Sequence, residues 1–502
     1  MVFSSITFVL FFLPVTLLLY LFAALVSPER WKFKILNIVL LVSSMFFYAW
    51  GEPSYVILLM LSMFLNYFFA TAIEVNRGER NGTFWLWLSV AINLCFLIYF
   101  KYMNLLLTTK LFGTIVNDLP EAMRPAPNFH IALPLGISFY TFQAISYLVD
   151  VYRGTAKVSK SLIDFGCYLT MFPQLVAGPI VRYESIAKEL VKRTLSAENF
   201  AEGFRRFVFG LAKKMLLADY FGRIADAAFS VPNDEVSMPV AWAGMLFYTL
   251  QIYFDFSGYS DMAIGLGRMF GFTFPENFNY PYISKSIREF WRRWHMTLGG
   301  WFRDYLYIPL GGNRKGKLRK YINKMIVFLL SGLWHGASVS FVVWGGLNGF
   351  YQIAAEVLMP LRQRARSALK INTSALWYKL LQAVGTFILI DLGWVFFRAN
   401  GARDALTIIK QMVTAGNAKI LFDGSLYTCG LDLPNFWLMI LGIALLFAAD
   451  CFKYKGIRIR ETIMRQNYWF RWAFYTVTIL AVLVFGIWGP AFDKASFIYF
   501  QF

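Results

Sequence analysis

Apolar residues are grouped along this chain into long runs that are separated by short polar segments. A helix needs about 20 mainly apolar residues to cross the hydrocarbon core of a bilayer. Runs of about that length lie at Ile6–Val26, Phe33–Trp50, Tyr55–Ile73, Phe84–Tyr99, Ile131–Val149, Met238–Phe254, Met325–Trp344, Leu380–Phe397, Phe436–Ala449 and Trp469–Trp488. Shorter ones lie at Phe165–Ile180, Phe204–Ala218 and Asp261–Phe272. The pattern predicts an all-α, polytopic membrane protein with about ten to twelve transmembrane helices and some re-entrant or interfacial helices.

Composition and charge agree with this class. Hydrophobic residues make up 58% of the 502 residues and charged ones 15%, against about 25% charged in an average soluble protein. The net charge of +19 does not indicate nucleic-acid binding, because the basic residues lie between apolar runs and follow the positive-inside rule. The rule places Arg30–Lys34, Arg77–Arg80, Arg362–Lys370 and Lys453–Arg465 in the cytoplasm and both termini outside.

The polar segments are too short to form a separate soluble domain, so we expect a single membrane domain over residues 1–502. Between residues 128 and 349 the apolar runs are broken by Pro, Gly and charged residues. Backbone freed by such breaks has to be buried in protein or line a wet cavity. The catalytic core is therefore predicted at about 128–349. No internal repeat is visible, which disfavours a transporter.

His335 lies near the middle of the apolar run LLSGLWHGASVSFVVW. An ionisable side chain at that depth is costly and usually faces a cavity or a substrate pathway. Its small neighbours Gly332, Gly336 and Ala337 are expected to give a substrate close access to the backbone. The alternative is a neutral histidine that is hydrogen-bonded between helices for packing.

His295 lies in a segment, residues 286–317, that mixes arginines with aromatic residues. This mixture predicts a re-entrant element at the membrane boundary, with rings at the interface and arginines directed at an anion. The alternative is an interfacial helix that binds lipid headgroups. Within the segment, Asp304 would orient His295 or a neighbouring arginine. His130, the third histidine, precedes a span and is interpreted as structural or incidental.

Other polar residues could support a site. Two basic groups, Arg288–Arg293 and the run that follows Asn313, are either ordinary positive-inside anchors or a cradle for the phosphates of a coenzyme A thioester. Asp255, Asp261 and Asp391 are expected to need a charged or hydrogen-bonding partner. Asp261 with Arg268, and Asp391 with a basic residue, would pin helices together. Scattered cysteines and widely spaced histidines predict no metal site, and no Gly-x-Ser-x-Gly elbow or P-loop is present.

Several segments resemble the membrane-bound O-acyltransferase family, and its alginate O-acetyltransferase branch in particular. They include QIYFDFSGYSDMAIGLGRMFGFTFPENFNYPYISKSIREFWRRWHMTLGGWFRDYLYIPLGGNRKG, LLSGLWHGASVSFVVWGGLNG, PLGISFYTFQAISYLVDVYRG, FPQLVAGPIVRYE and the closing FIYFQF. The resemblance implies a bundle of transmembrane helices around a central tunnel, with donor and acceptor approaching from opposite faces. It also implies that His335 is catalytic and that His295 acts on the cytoplasmic side of the tunnel.

The resemblance further implies acetyl-CoA as the donor, with no tightly bound cofactor. The acetyl group would cross the bacterial inner membrane to a separate exported partner resembling SGNH hydrolases, which modifies alginate or a similar exopolysaccharide. The residues expected to bind substrate or coenzyme A are Arg288, Arg292, Arg293, Trp294, Arg303, Asp304, Asn313 and Trp334, with Asp255, Asp261 and Asn277 in support. The alternatives are peptidoglycan as the final acceptor, transfer from a carrier protein as in teichoic-acid D-alanylation, and a proton-coupled transporter.

Overall fold

The computed structural model describes residues 1–108, 131–231, 236–416, 419, 424, 433–457, 459–486 and 488. His130 and the closing FIYFQF segment lie outside these residues. In the first half, helices run over Leu13–Val26 (α1), Lys32–Gly51 (α2), Val56–Val75 (α3), Arg80–Thr108 (α4), Ile137–Arg153 (α5), Leu162–Thr170 (α6), Phe172–Leu175 (α7), Tyr183–Val191 (α8), Ala197–Ala212 (α9), Asp219–Ser230 (α10) and Met238–Met269 (α11). The described residues contain no β-strand, which confirms the all-α prediction.

In the second half, helices run over Ile287–Arg293 (α12), Met296–Phe302 (α13), Gly316–His335 (α14), Val339–Val357 (α15), Met359–Ala368 (α16), Leu376–Arg398 (α17), Ala402–Thr414 (α18), Leu433–Tyr454 (α19), Ile459–Met464 (α20) and Tyr468–Phe485 (α21). Short π-helical turns at Phe8–Phe12, Lys213–Ala218 and Arg303–Tyr307 extend neighbouring helices, and 3₁₀ turns lie at Pro53–Tyr55 and Pro281–Ile283.

Six helical segments of the described chain have the length and apolar composition of a membrane span. They are Phe8–Val26, Lys32–Gly51, Pro53–Val75, Arg80–Leu106, Leu376–Arg398 and Tyr468–Phe485. The chain is therefore a multi-pass membrane protein. The other predicted spans also fall wholly or largely on helices, among them α5, α11, α14, α15 and α19, and the total of ten to twelve stays a prediction.

Two predicted boundaries are wrong, both because a helix continues past a charged residue. The fourth span was predicted to end at Tyr99, whereas α4 continues to Thr108 and buries Lys101. The separate stretches predicted before Phe254 and after Asp261 are one helix, α11, of 32 residues. In both places the charged side chain lies inside the bundle and meets partners there, so the helix does not have to stop.

Glycines let α9 and α11 pack closely. A Cβ atom at Gly203 would lie 2.4 Å from the backbone oxygen of Gly265, and one at Gly210 would lie 2.6 Å from that of Gly258. On each helix the two glycines are seven residues apart and so occupy one face. Small residues at such positions bring two backbones into contact, which is how helices commonly associate inside a bilayer.

The buried carboxylates do pair with neighbouring helices, but two of the expected partners are wrong. Asp261 binds Lys213 at 2.6 Å and Arg206 at 2.9 Å, whereas Arg268, its expected partner, lies 3.5 Å from Glu202. Arg268 is seven residues further along the same helix, too far for its side chain to reach the carboxylate.

Asp391 and Asp255 are held by different kinds of group. Asp391 accepts a hydrogen bond of 2.5 Å from the Thr249 hydroxyl, and the nearby Arg398 pairs with Asp226 instead. Asp255 is fully buried and lies 2.8 Å from the buried Lys214. Asp255 and Asp391 thus tie α11 to its neighbours, as expected of carboxylates inside apolar surroundings.

Candidate active site

His295 lies at a sharp turn between the short helices α12 and α13. Ser286 caps α12 by accepting a hydrogen bond of 3.2 Å from the backbone N–H of Glu289. After α12 ends, His295 adopts a left-handed conformation with φ of 43° and α13 begins at the next residue. This conformation is costly for a residue with a side chain. Such strain is retained mainly where the surrounding structure enforces it, often at functional sites.

The Asn277 segment stabilises this turn and orients the His295 ring. The backbone oxygen of Asn277 accepts from the N–H of Met296 at 2.9 Å. Its side-chain oxygen, Oδ1, lies 3.1 Å from Nδ1 of His295. The backbone N–H of Thr297, which can only donate, also points at Oδ1 at 3.3 Å. This atom is therefore the amide oxygen, and Nδ1 of His295 is the donor.

The tautomer of His295 follows from this contact. Since Nδ1 carries the proton, the lone pair of the neutral ring is on Nε2. Nε2 is buried and has no hydrogen-bond partner among the described residues. Burial lowers the pKa of His295, which lies in the turn and not in a spanning helix. The imidazole is thus neutral near pH 7 and presents Nε2 as an acceptor.

His335 is the last residue of α14 and is also buried. Its ring is enclosed by aromatic rings, with the centroid of Trp344 at 5.1 Å and that of Phe397 at 5.2 Å. Both lie edge-on to the imidazole. The histidine predicted in the middle of a long run therefore lies where one helix ends and α15 begins.

Trp334 brings the two histidines together, although they are 40 residues apart in sequence. Its ring centroid lies 4.8 Å from that of His335 and 6.1 Å from that of His295. The two imidazoles can be no further apart than the sum of these distances. The ring of Phe256 also packs against His295, with its centroid 4.7 Å away. Two buried imidazoles in contact with the same indole ring make this region the candidate for proton-transfer chemistry.

A cluster of cations lies around Glu356 on α15. Its carboxylate contacts Arg288 at 3.2 Å, Lys324 at 2.5 Å and also Lys320. Three positive groups thus surround one negative group, which leaves an excess of positive charge. Lys320 precedes His335 by 15 residues on the same helix, or roughly 22 Å at 1.5 Å per residue.

The other residues that were predicted to bind substrate or coenzyme A lie in different surroundings. Arg292 and Asn313 are exposed, and Arg293 pairs with Glu289 at 2.8 Å. Trp294 is buried in an aromatic cluster, with its centroid 5.1 Å from that of Trp394. The role of these residues in binding coenzyme A stays a prediction.

Asp304 was predicted to orient either His295 or a neighbouring arginine, and in the structure it binds arginines. Its carboxylate binds Arg182 at 2.6 Å and Arg303 at 2.7 Å. Burial raises the pKa of Asp304, but hydrogen bonds from Arg303 and Arg182 outweigh it, so the pKa lies below its usual range. Asp304 thereby ties the segment after α13 to the residues before α8.

Sequence reasoning missed Lys101 and Tyr102. Both lie on α4 and donate hydrogen bonds to backbone oxygens at the end of α14. A lysine inside a membrane span is a recognisable signal for a functional charge, and Lys101 lies inside the span Arg80–Leu106. The predicted span ended at Tyr99, two residues before Lys101, so this lysine was not assigned to a span.

The two glycines beside His335 do not provide space for a substrate, so the expectation is wrong for Gly332 and Gly336 and stays a prediction for Ala337. A Cβ atom at Gly332 would lie 2.2 Å from the backbone oxygen of Phe341. One at Gly336 would lie 2.2 Å from the Phe341 ring. The glycines instead allow α14 and α15 to pack against each other directly behind the histidine.

The chain is similar in sequence to a known family and to several known proteins. A sequence model of the MBOAT, membrane-bound O-acyltransferase family, matches residues 42–388. The "Probable alginate O-acetylase AlgI" of Pseudomonas aeruginosa is 43% identical over 426 residues, which cover 83% of this chain and 75% of that protein. The protein of the same name from Pseudomonas putida is 37% identical over 519 aligned positions and covers 100% of both chains. The "Peptidoglycan O-acetyltransferase" of Helicobacter pylori is 37% identical over 445 residues, covering 82% of this chain and 80% of that protein.

Proposed function

The chain belongs to the membrane-bound O-acyltransferase family, and from that premise we propose how it works as an O-acetyltransferase. It takes acetyl from cytosolic acetyl-CoA and passes it across the inner membrane, where an extracytoplasmic polysaccharide, alginate or a similar exopolysaccharide, is O-acetylated. The observation that supports this most directly is the pair of buried imidazoles on Trp334. The relatives named for alginate and for peptidoglycan support a polysaccharide as the final acceptor.

Acyl transfer needs a base and a site that excludes water. In the proposed step the acceptor hydroxyl attacks the thioester carbonyl while His335 takes its proton. The carbon–sulfur bond then breaks, and the thiolate of coenzyme A leaves with a proton from the imidazolium. A positioned base of this kind contributes about 10²–10⁴-fold to the rate. The neutral His295, with its acceptor at Nε2, is a second proton carrier within reach of the same group.

The donor is expected to enter from the side of the cation cluster. Arg288, Lys320 and Lys324 can bind the phosphates of coenzyme A by charge-assisted hydrogen bonds, in competition with Glu356. The long flexible pantetheine arm would then carry the thioester along α14 towards His335. Replacing Lys320 by glutamine should therefore raise the KM for acetyl-CoA and leave kcat nearly unchanged.

The acceptor is expected on the opposite face. The positive-inside rule puts the basic start of α14 in the cytoplasm, so His335, at the other end of the helix, lies further from the cytoplasm. An exported partner that resembles SGNH hydrolases would receive the acetyl group there and pass it to the polymer. The same rule places the N-terminus outside.

The experiment is to measure O-acetyl groups on the extracellular polysaccharide in cells that carry wild type, His335→Ala or His295→Ala. His130→Ala serves as the matched histidine control, and membrane abundance is measured for every variant. We expect His335→Ala to fall to the deletion background and His130→Ala to stay at the wild-type level. Normal acetylation by His335→Ala would contradict the proposed chemistry.

Two further readouts separate the alternatives. Proteoliposomes that turn over labelled acetyl-CoA identify an acyltransferase, whereas a proton-coupled transporter would leave the thioester intact. Release of acetate from purified alginate and from purified peptidoglycan of the same cells distinguishes the two acceptors. If His335→Ala lowers the acetyl content of peptidoglycan and not that of alginate, peptidoglycan is the final acceptor.

A further inference from the structure

The last four backbone carbonyls of α14 all have identified donors. A helix leaves these four groups without an intrahelical partner. The carbonyl of Gly332 accepts from the N–H of Gly336 at 3.3 Å. The carbonyl of Leu333 accepts from the Tyr102 hydroxyl. Those of Trp334 and His335 both accept from the Lys101 ammonium, the second at 3.2 Å. Two consecutive residues of α4 therefore satisfy three of the four groups.

Lys101 is a buried lysine whose side-chain nitrogen lies close to three oxygen atoms. An ammonium group has three N–H donors. Besides the two carbonyls of α14, the Lys101 ammonium lies 3.5 Å from the Ser138 hydroxyl. An ionisable side chain buried inside a membrane protein is costly and usually marks a functional position. The carbonyl end of a helix carries partial negative charge, which a cation stabilises.

The place where α14 ends explains why these donors are needed. His335 and Trp334 are both buried, so water does not reach the end of the helix. Within a bilayer, backbone groups that are freed by a helix end must find partners inside the protein. Without Lys101 and Tyr102 the final turn could unwind or tilt, and the His335 ring would move with it.

We propose that Lys101 and Tyr102 are positioning residues that hold the end of α14 and thereby fix the His335 imidazole for acyl transfer. The kinetic part rests on the proposed function, whereas the effect on the geometry of His335 does not. Because the Lys101 side chain ends on the carbonyls of Trp334 and His335, its role is assigned to the helix end and not to contact with the acyl group. The two residues contribute unequally, because Lys101 holds two carbonyls and Tyr102 holds one.

The experiment compares Lys101→Met, Lys101→Arg and Tyr102→Phe in proteoliposomes with labelled acetyl-CoA. Tyr99→Phe is the matched control, since Tyr99 is an exposed residue on the same helix. A displacement of about 1 Å at a catalytic group can cost about 10²-fold in rate. We expect a loss of that size in kcat for Lys101→Met, roughly a fivefold loss for Tyr102→Phe, and an unchanged KM for acetyl-CoA. Lys101→Arg should recover part of kcat because it keeps the charge.

A second readout does not depend on catalysis. The chain has three histidines, so ¹⁵N spectra of protein labelled only at histidine can be assigned with His130→Gln and His295→Gln. We expect Lys101→Met to shift the His335 signals and to leave those of His295 in place. If wild type transfers no acetyl but this shift occurs, the proposed function fails and the positioning role stands. Unchanged His335 signals together with unchanged kcat in both Lys101→Met and Tyr102→Phe would overturn the inference.

Discussion

Replacing Gly332 by alanine perturbs the packing behind His335 without touching its ring. The added Cβ would lie 2.2 Å from the backbone oxygen of Phe341, whereas ordinary van der Waals contact begins at 3.4 Å. Helices α14 and α15 therefore have to separate by about 1 Å at this point. The opposing Gly345 is equally confined, since a Cβ there would lie 2.2 Å from the backbone oxygen of Phe328.

The size of the effect follows from that displacement. Extra volume in a well-packed core costs about 1–3 kcal/mol of stability. Gly332 lies three residues before His335, less than one helical turn. If half of the separation is transferred to the imidazole, the ring moves by about 0.5 Å. A displacement of about 1 Å at a catalytic group can cost about 10²-fold in rate. We therefore expect Gly332→Ala to lower kcat by about 10–100-fold.

The assay is acetyl transfer by the purified protein in proteoliposomes, with thermal unfolding measured on the same samples. Gly346→Ala is the matched control, because its Cβ would meet only a Leu329 methyl group at 3.5 Å. We expect the control to keep wild-type kcat and a nearly unchanged Tm. Equal activity of Gly332→Ala and Gly346→Ala would refute the argument that close packing here positions the histidine.

Three further predictions concern the groups around the site. Asn277→Ala should lower kcat and shift the His295 ¹⁵N signals towards a mixture of tautomers, because Nδ1 loses its acceptor. Lys214→Met should destabilise the protein by about 3–5 kcal/mol in thermal unfolding, because Asp255 then loses its buried partner charge. The lowered pKa of Asp304 means that its ion pairs stabilise the fold above the ordinary carboxyl pKa of about 3.9 and are lost as pH falls through the lowered value. Tm of wild type and Asp304→Asn should therefore differ at pH 7 and converge under acid conditions, and a constant difference would contradict this.

Much of this protein's class can be read from its sequence. Long apolar runs predict membrane helices because a bilayer requires a minimum length of apolar helix. His335 and His295 were identified as candidate residues because ionisable groups are rare and costly at such positions. The family motifs that surround them are local in sequence, so they could be recognised without the fold.

Only the tertiary structure decided which distant residues meet. Asp261 pairs with Lys213 and Arg206 because α9 and α11 cross through their glycines, which no spacing along the chain reveals. In the same way, Lys101 reaches the end of α14 from a helix more than 200 residues earlier.

The arrangement of the candidate site was likewise decided by packing. The turn at His295 and the end of α14 are each local structures, but Trp334 joins them only when α12, α13 and α14 are assembled. The tautomer of His295 depends on one oxygen of Asn277, which lies 18 residues away. A sequence determines which helices can exist and which of their residues are costly to bury. It does not determine which partner satisfies each costly group, because that depends on the close contacts between helices.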